Sequence, residues 1–169
     1  MTRVSATAAI LLVASAQARA GTPFPGPRTE LRSPSGAWIV QWIAADQTAG
    51  GQHELVLVSI PGGTRRSVLS FPRHVIVSWS PDGRRFAVVN YTGSTDAESW
   101  VYSVDLGSPL SVSAAAEAQQ PGVLSFAQGA DHLYVEADRW LDSDTVSVRV
   151  RGYGGPHPFD RRIRVKLGS

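Results

Sequence analysis

The chain has 169 residues and no cysteine, which excludes disulfide bonds and thiolate metal sites. Its 16 Lys and Arg residues outnumber its 14 Asp and Glu residues by two, and Arg3 and Arg19 of the N-terminal segment account for that excess. The rest of the chain is formally neutral, so its overall charge gives no reason to expect a nucleic acid or an anionic membrane as partner.

Residues 1–20 have the pattern of a secretory signal peptide. Arg3 provides a positive start, an apolar segment follows from Val4 to Ala14, and Ala18-Arg19-Ala20 places small residues where a signal peptidase reads them. The apolar segment is shorter than the ~20 residues that a membrane-spanning helix needs, which argues against a membrane anchor. We expect cleavage near Ala20 and export to the periplasm or the extracellular space.

A turn motif recurs at a fixed spacing in the rest of the chain, after a Pro- and Gly-rich segment (21–28) that predicts an extended lead-in. Ser80-Pro81-Asp82-Gly83 has a weaker copy 47 positions upstream, at Ser33-Pro34-Ser35-Gly36, and a faint one 47 positions downstream, at Ala127-Gln128-Gly129-Ala130. A constant period of this length is typical of repeated supersecondary units. It predicts one domain of three repeats, at about 29–73, 74–120 and 121–169.

Each repeat predicts four short antiparallel strands, and the fold class is therefore all-β. In the central turn Pro81 presets φ, Asp82 can bond its own backbone and Gly83 tolerates positive φ. A helix of about two turns is predicted over Ser113–Gln120. The predicted strands are Thr29–Arg32, Trp38–Ile43, Glu54–Ile60 and Ser67–Phe71 in the first repeat, Val75–Ser78, Arg85–Tyr91, Trp100–Asp105 and Leu110–Val112 in the second, and Val123–Phe126, His132–Ala137, Thr145–Arg151 and Arg161–Leu167 in the third.

The central repeat resembles a known family. Trp79-Ser80-Pro81-Asp82-Gly83-Arg84-Arg85-Phe86-Ala87 looks like the repeat of TolB-type β-propellers, whose blades carry a W-S-P-D-G-x-x-[hydrophobic]-A signature. Trp100-Val101-Tyr102-Ser103-Val104-Asp105-Leu106-Gly107 is similar to the third strand and following turn of such a blade. The first repeat shares only the Ser, Pro and Gly of its turn, and the third keeps the pattern with Phe126 in the tryptophan position. The resemblance implies three four-stranded, blade-like sheets, a partial β-propeller.

Three blades are too few to close a ring, since about four is the usual minimum. The chain could be an open stack or sandwich-like monomer, half of a homodimeric ring, or a partial ring completed by another protein. Charged residues alternate along both terminal strands, a common protection of sheet edges, and this favours the monomer over a ring-closing homodimer. Without a true repeat, the same strands would form one antiparallel sandwich or barrel.

The segment Tyr153–Pro158 resembles the region that follows the propeller in prolyl-oligopeptidase-like serine hydrolases. Such enzymes need a G-x-S-x-G nucleophile elbow and a later histidine, whereas this sequence has no such elbow and no histidine after His157. We expect a hairpin connection here instead. The four histidines lack metal-ligand spacing, and no metal or cofactor is expected.

One loop face is the candidate binding site. In propellers, the loops that join the second and third strands share a face with the loops between blades, and that face often binds ligands. Acidic groups there would suit a basic peptide or a polar polymer, and an exposed tryptophan would be a good anchor; ordinary polar loops are the alternative. The resemblance places on this face Asp46, His74, Asp96, Glu98, Asp138, Trp140, Asp142 and Asp144.

The sequence thus predicts an exported, non-catalytic binding module rather than an enzyme. Its partner would be another envelope or secreted protein, or a polar ligand, recognised through loop faces or by strand addition at a sheet edge. Two alternatives stay open: a remnant or accessory of a propeller-bearing peptidase, and a structural envelope protein.

Overall fold

The computed structural model of the protein describes residues 21–105, 107–155 and 157–168, and the predicted signal segment lies outside the described residues. Within these ranges the chain forms an eight-stranded and a four-stranded sheet. One helix, α1 (Val112–Gln119), and 3-10 turns at Ala45–Gln47 and Ser125–Ala127 connect strands. The predicted all-β class is confirmed. The strands are β1 (Thr22–Phe24), β2 (Glu30–Arg32), β3 (Trp38–Ile43), β4 (His53–Ser59), β5 (Arg65–Phe71), β6 (His74–Trp79), β7 (Arg85–Tyr91), β8 (Asp96–Ser103), β9 (Leu110–Ser111), β10 (His132–Trp140), β11 (Thr145–Tyr153) and β12 (Phe159–Lys166).

The first two repeats form the two packed layers of the molecule. Strands β2 to β5 make the four-stranded sheet, and β6 to β9 follow one another in the larger sheet, all antiparallel. Because side chains alternate along a strand, each sheet turns one apolar face to the other. The core between them contains Val40, Leu55, Leu57, Phe71, Val75, Val77, Phe86 and Val88, all fully buried.

The two repeated turns lie side by side, as a true repeat requires. Gly83 has φ of 70°, and a Cβ there would lie 3.1 Å from Ser35 Oγ and 3.3 Å from Ser33 Cβ. Glycine is therefore needed both for the conformation and for the close approach of the upstream turn. The Ser80 hydroxyl donates to Asp82 Oδ1 (2.7 Å) and accepts from the Arg85 N–H (3.0 Å), which fixes the hairpin.

The third repeat departs from the predicted four-stranded unit. Strands β10, β11 and β12 are present, but the strand predicted over Val123–Phe126 is wrong, because a 3-10 turn occupies Ser125–Ala127. The carboxylate of Glu117 accepts from the N–H groups of Gly122 (2.7 Å) and Leu124 (2.8 Å), and these bonds hold the segment in turns. The predicted helix is confirmed, one residue earlier than expected.

In place of the missing strand, β10 pairs with β8 of the second repeat, and the pairing is parallel. Leu133 lies opposite Asp96, and Tyr134 lies opposite Ala97. Beyond these pairs the buried Ser99 hydroxyl continues the contact, donating to Val135 O and accepting from the Ala137 N–H, both at 2.7 Å. The second and third repeats therefore share one curved sheet instead of forming separate blades.

The lead-in is also part of this sheet. Residues Thr22–Phe24 form β1, which pairs with the free side of β6. The sequence predicted an extended segment here but not its pairing, since two of its prolines flank or enter the strand. Phe24 is fully buried in the core between the two sheets, so the lead-in is an element of the fold.

At the other edge of the curved sheet, the helix covers the end of the last strand. The Gln119 side chain donates to Lys166 O (2.6 Å) and accepts from the Lys166 N–H (2.9 Å), in the manner of a neighbouring strand. Nearby basic residues pair with acidic ones, for example Arg162 with Asp138 at 3.1 Å. Over the described ranges, no helix combines the length and apolar character needed to cross a membrane.

Candidate functional site

The strands of both sheets share two ends, which we call the turn end and the loop end. The turn end carries the turns Ser33–Gly36 and Ser80–Gly83; the loop end carries the connections after β3, β5 and β7. Only Pro72 and Arg73 separate β5 from β6, which places the loop ends of the two sheets together. At the turn end, Arg66 donates to Val104 O and joins the same two sheets.

Four of the predicted site residues lie at the loop end. Asp46 is exposed in the 3-10 turn after β3, and His74 begins β6. Asp96 begins β8 and accepts hydrogen bonds from the hydroxyls of Thr92 and Thr95. Glu98, two residues further along β8, is exposed. The structure thus brings Asp46, His74, Asp96 and Glu98 to one end of the molecule.

The other four predicted residues lie elsewhere, and the prediction of one shared face is wrong for them. Because β10 is parallel to β8, the loop after β10 points to the turn end, where Asp144 lies 3.3 Å from Arg85. Asp142 caps that loop by accepting from the Asp144 N–H (2.7 Å). Asp138 lies at a bulge in β10 and pairs with Arg162.

Trp140 is buried, which corrects the expectation of an exposed anchor. Its side chain is 7% exposed, and its indole N–H donates to Ser78 O (3.2 Å) on β6. The indole packs where β10 crosses the face of β6, so it is part of the core.

A row of aromatic rings at the loop end was not predicted. His74 stacks on Tyr91 with ring centroids 4.2 Å apart, and His132 stacks on Tyr153 at 4.3 Å. Tyr134 lies between these pairs, and its hydroxyl donates to Ser94 O (2.5 Å) in the connection after β7. No sequence pattern indicated the row, because its members come together only through the parallel pairing of β8 and β10.

Next to the aromatic row, a partly buried ion pair joins strands of the larger sheet. Glu136 is 9% exposed, accepts from Arg151 Nε (3.0 Å) and Nη2 (2.9 Å), and accepts from the Tyr91 hydroxyl (2.5 Å). Burial and this carboxylate raise the pKa of Tyr91 well above its ordinary value. Each group of the network is satisfied by the others, so its role is to hold β7, β10 and β11 in place.

On the other side of β7, the two sheets meet along what we call the inter-sheet seam: Trp42, His53, Phe71, Asn90 and Glu98. The ring centroids of Trp42 and His53 are 5.6 Å apart, and those of His53 and Phe71 are 5.4 Å apart. Asn90 pairs across the strands with Val75 on one side and Glu98 on the other. It continues the face of Phe86 and Val88, which points at the first sheet.

Two polar atoms of the seam are enclosed without a partner. Neither the Trp42 indole nitrogen nor the Asn90 side-chain oxygen has a hydrogen-bond partner among the described residues, and both are inaccessible to solvent. His53 is engaged, because its Nδ1 accepts from the Ala45 N–H at 3.0 Å. Buried polar atoms in proteins nearly always have partners, so these two atoms are exceptions to the usual pattern.

The loop end is acidic. In the described part of the chain, neither Asp46 nor Glu98 belongs to an ion pair. Burial, with the neighbouring charge of Arg73, lowers the pKa of His74. No three His, Asp or Glu side chains among residues 21–105, 107–155 and 157–168 meet as metal ligands. The groups at the loop end can take part in recognition by charge, aromatic contact and hydrogen bonds.

Comparisons with known proteins give a limited result. No protein-family model matches the chain, and no curated protein does. A crystal structure of TolB from Acinetobacter baumannii is similar at a TM-score of 0.42 and 13% sequence identity, over 88% of this chain and 33% of TolB. The chain spans about a third of the length of that TolB structure.

Proposed function

We propose that the chain is an exported, non-catalytic binding module that recognises another envelope or secreted protein through its loop end. The observation that carries the proposal is the combination found there: the exposed carboxylates of Asp46 and Glu98, which no described residue pairs, beside the aromatic rings of Trp42 and His53. Export rests on the signal-like pattern of residues 1–20.

Charge and aromatic character suit the loop end to a protein partner. Elsewhere, exposed carboxylates such as Asp144 and Asp160 already face arginines at short range, whereas Asp46 and Glu98 are free to meet a partner. Exposed charges of one sign steer a complementary partner and select against the wrong one. Trp42, partly buried in the seam that also contains Glu98, is of a residue type that dominates binding energy at interfaces.

The experiment is a selection of random displayed peptides on the processed protein, followed by calorimetric affinities of the selected peptides. We expect the double variant Asp46→Asn/Glu98→Gln to bind about tenfold more weakly, since losing two exposed charge contacts costs about 1.4 kcal/mol. Asp105→Asn, an exposed aspartate at the turn end, is the matched control and should bind as the wild type does.

Two results would contradict the proposal. One is a selection that yields no binder, or binders whose affinity the double variant leaves unchanged. The other is hydrolysis of generic ester or peptide substrates by the processed protein, if a serine or histidine substitution abolishes it, because the chain would then be an enzyme.

A further inference from the structure

We propose that the outer edge of β12 binds an extended acidic segment of a partner protein as an added antiparallel strand. This site goes beyond the proposed function, because it lies at the far edge of the larger sheet and takes an acidic segment, whereas the acidic loop end suits a basic one. Strand β12 ends the path of that sheet, with β11 on its inner side. A strand in this position presents backbone groups to which another chain can add.

The contact with α1 shows how this edge pairs with an amide. The Gln119 side chain donates to Lys166 O at 2.6 Å and accepts from the Lys166 N–H at 2.9 Å. Opposite residues that exchange both bonds form the hydrogen-bonded pair of antiparallel strands. The backbone groups of Lys166 therefore point away from β11, and those of Arg164 and Arg162 do the same, because the direction alternates along a strand. An added strand would continue the pairing that Gln119 begins.

The side chains along this edge are basic. Arg162, Arg164 and Lys166 occupy alternate positions of β12 and are exposed, so they share one face of the sheet. Arg162 pairs with Asp138 at 3.1 Å, whereas neither Arg164 nor Lys166 belongs to an ion pair over the described ranges. Residues opposite each other in an antiparallel pair lie on the same face, where opposite charges attract. The residues that pair with Arg162 and Arg164 should therefore be acidic.

The other positions of β12 determine the rest of the segment. Asp160, which pairs with Arg149, is exposed on the same face, so the residue opposite it should be basic. Ile163 is on the other face and is partly buried against the core, which favours apolar residues at the intervening positions. In the antiparallel direction, from the residue opposite Arg164 to the one opposite Asp160, the segment is acidic, apolar, acidic, apolar, basic.

The test uses the blocked peptide Glu-Val-Glu-Val-Lys and the backbone amide signals of the processed protein. We expect saturable shifts of the Arg162 and Arg164 signals and slower exchange of these amide protons with solvent. The signals of His74 and Glu98 at the loop end should stay in place. The reversed peptide Lys-Val-Glu-Val-Glu has the same composition but places lysine opposite Arg164, and we expect it to bind about fivefold more weakly.

N-methylated peptides separate strand addition from charge attraction alone. In antiparallel pairing, the residues opposite Arg162 and Arg164 bond the edge with their own backbone groups, while the intervening residues point theirs away. Methylation of both glutamate amides should therefore abolish binding, whereas methylation of both valine amides should preserve it. The two methylated peptides have the same charge and the same mass, so they are matched controls for each other.

The variant Arg164→Gln tests the charge on the protein's side of the contact. Arg164 is exposed, so we expect the variant to fold and to bind the Glu-Val-Glu-Val-Lys peptide about fivefold more weakly. Arg28→Gln replaces an exposed arginine that precedes β2 in the other sheet. It is the matched control and should bind as the wild type does.

Equal binding of the two methylated peptides would overturn the inference, because charge alone would then hold the peptide. Arg162 and Arg164 signals that do not move, or an Arg164→Gln variant that binds as tightly as the wild type, would overturn it as well. The loop end and the β12 edge are separate surfaces, so either proposal can fail while the other stands.

Discussion

Asp82 illustrates how one side chain in a repeated turn is tuned by its neighbours. It is exposed, and burial alone would raise the pKa of its carboxyl, but hydrogen bonds from Ser80 and the Arg84 N–H and the charge of Arg84 outweigh that effect and lower it. A carboxyl whose pKa is lower in the folded state stabilises the fold above its ordinary pKa of about 3.9, and this contribution is lost as the pH falls.

We therefore expect Asp82→Asn to be less stable than the wild type at pH 6, with the difference shrinking as the pH falls below about 4. Asparagine keeps an acceptor for the Arg84 N–H but lacks the charge, so the variant isolates the ionic part. Urea unfolding at a series of pH values measures it. Asp105→Asn is the control, and an identical pH dependence of the two variants would refute the explanation.

The burial and hydrogen bonding of two tryptophans could not be predicted from the sequence. Trp140 and Trp42 are both apolar aromatic residues near strand ends, and nothing in the sequence distinguishes them. Only the packing reveals that Trp140 is bonded to Ser78 and that the Trp42 nitrogen is unpaired. Burial and hydrogen-bond satisfaction depend on contacts distant in sequence, which a local pattern does not encode.

The short strand β1 has only three residues, but we expect it to contribute substantially to the free energy of unfolding. Phe24→Ala should cost about 3–5 kcal/mol of unfolding free energy, because the side chain is fully buried between the sheets. Urea unfolding measures this cost. Pro23→Ala, exposed on the same strand, should change stability by less than about 1 kcal/mol. Equal effects of the two substitutions would mean that β1 is not docked on β6.

The contact between α1 and β12 protects an edge. We expect Gln119→Ala to associate into dimers or larger species at high protein concentration, because Lys166 then exposes both backbone groups for pairing with another chain. Light scattering as a function of concentration measures this association. Gln120→Ala, the exposed neighbour, should behave as the wild type. If both variants scatter alike, the glutamine contact does not protect the edge.

The first two repeats could be predicted element by element, and the third could not. Pro-Asp-Gly and Pro-Ser-Gly turns fix two hairpins through local chemistry, and β7 has the bounds predicted for it. In the third repeat the decisive contacts are made by Glu117 to Gly122 and by Ser99 to Val135. These polar side chains replace a strand, and the hydrophobic pattern that predicted the strand does not register them.

In the molecule as a whole, the pairing of β8 with β10 determines at which end the loops of the third repeat lie. The parallel contact of β8 and β10 reverses the third repeat relative to the second. That reversal explains why Asp46 and Glu98 reach the predicted face while Asp142 and Asp144 do not. The repeat pattern predicts that equivalent strands of all three repeats run in the same direction, and this holds for the first two repeats only.

The same architecture bears on the oligomeric state. We expect the processed protein to be a monomer, because Gln119 covers the end of the outer edge of β12 and the edge of β2 carries alternating charges. Size exclusion with light scattering measures its absolute mass. A mass of twice the chain, independent of concentration, would favour a ring-closing homodimer and contradict this expectation.

Mapping a selected peptide onto the backbone amide signals of the processed protein would locate its binding surface. Recognition at the loop end predicts that the shifted amides belong to the connections after β3, β5 and β7, around Asp46, His74 and Glu98. Shifts confined to the turn end, or to the edge of β5 or β12, would place the binding surface elsewhere and rule out recognition at the loop end.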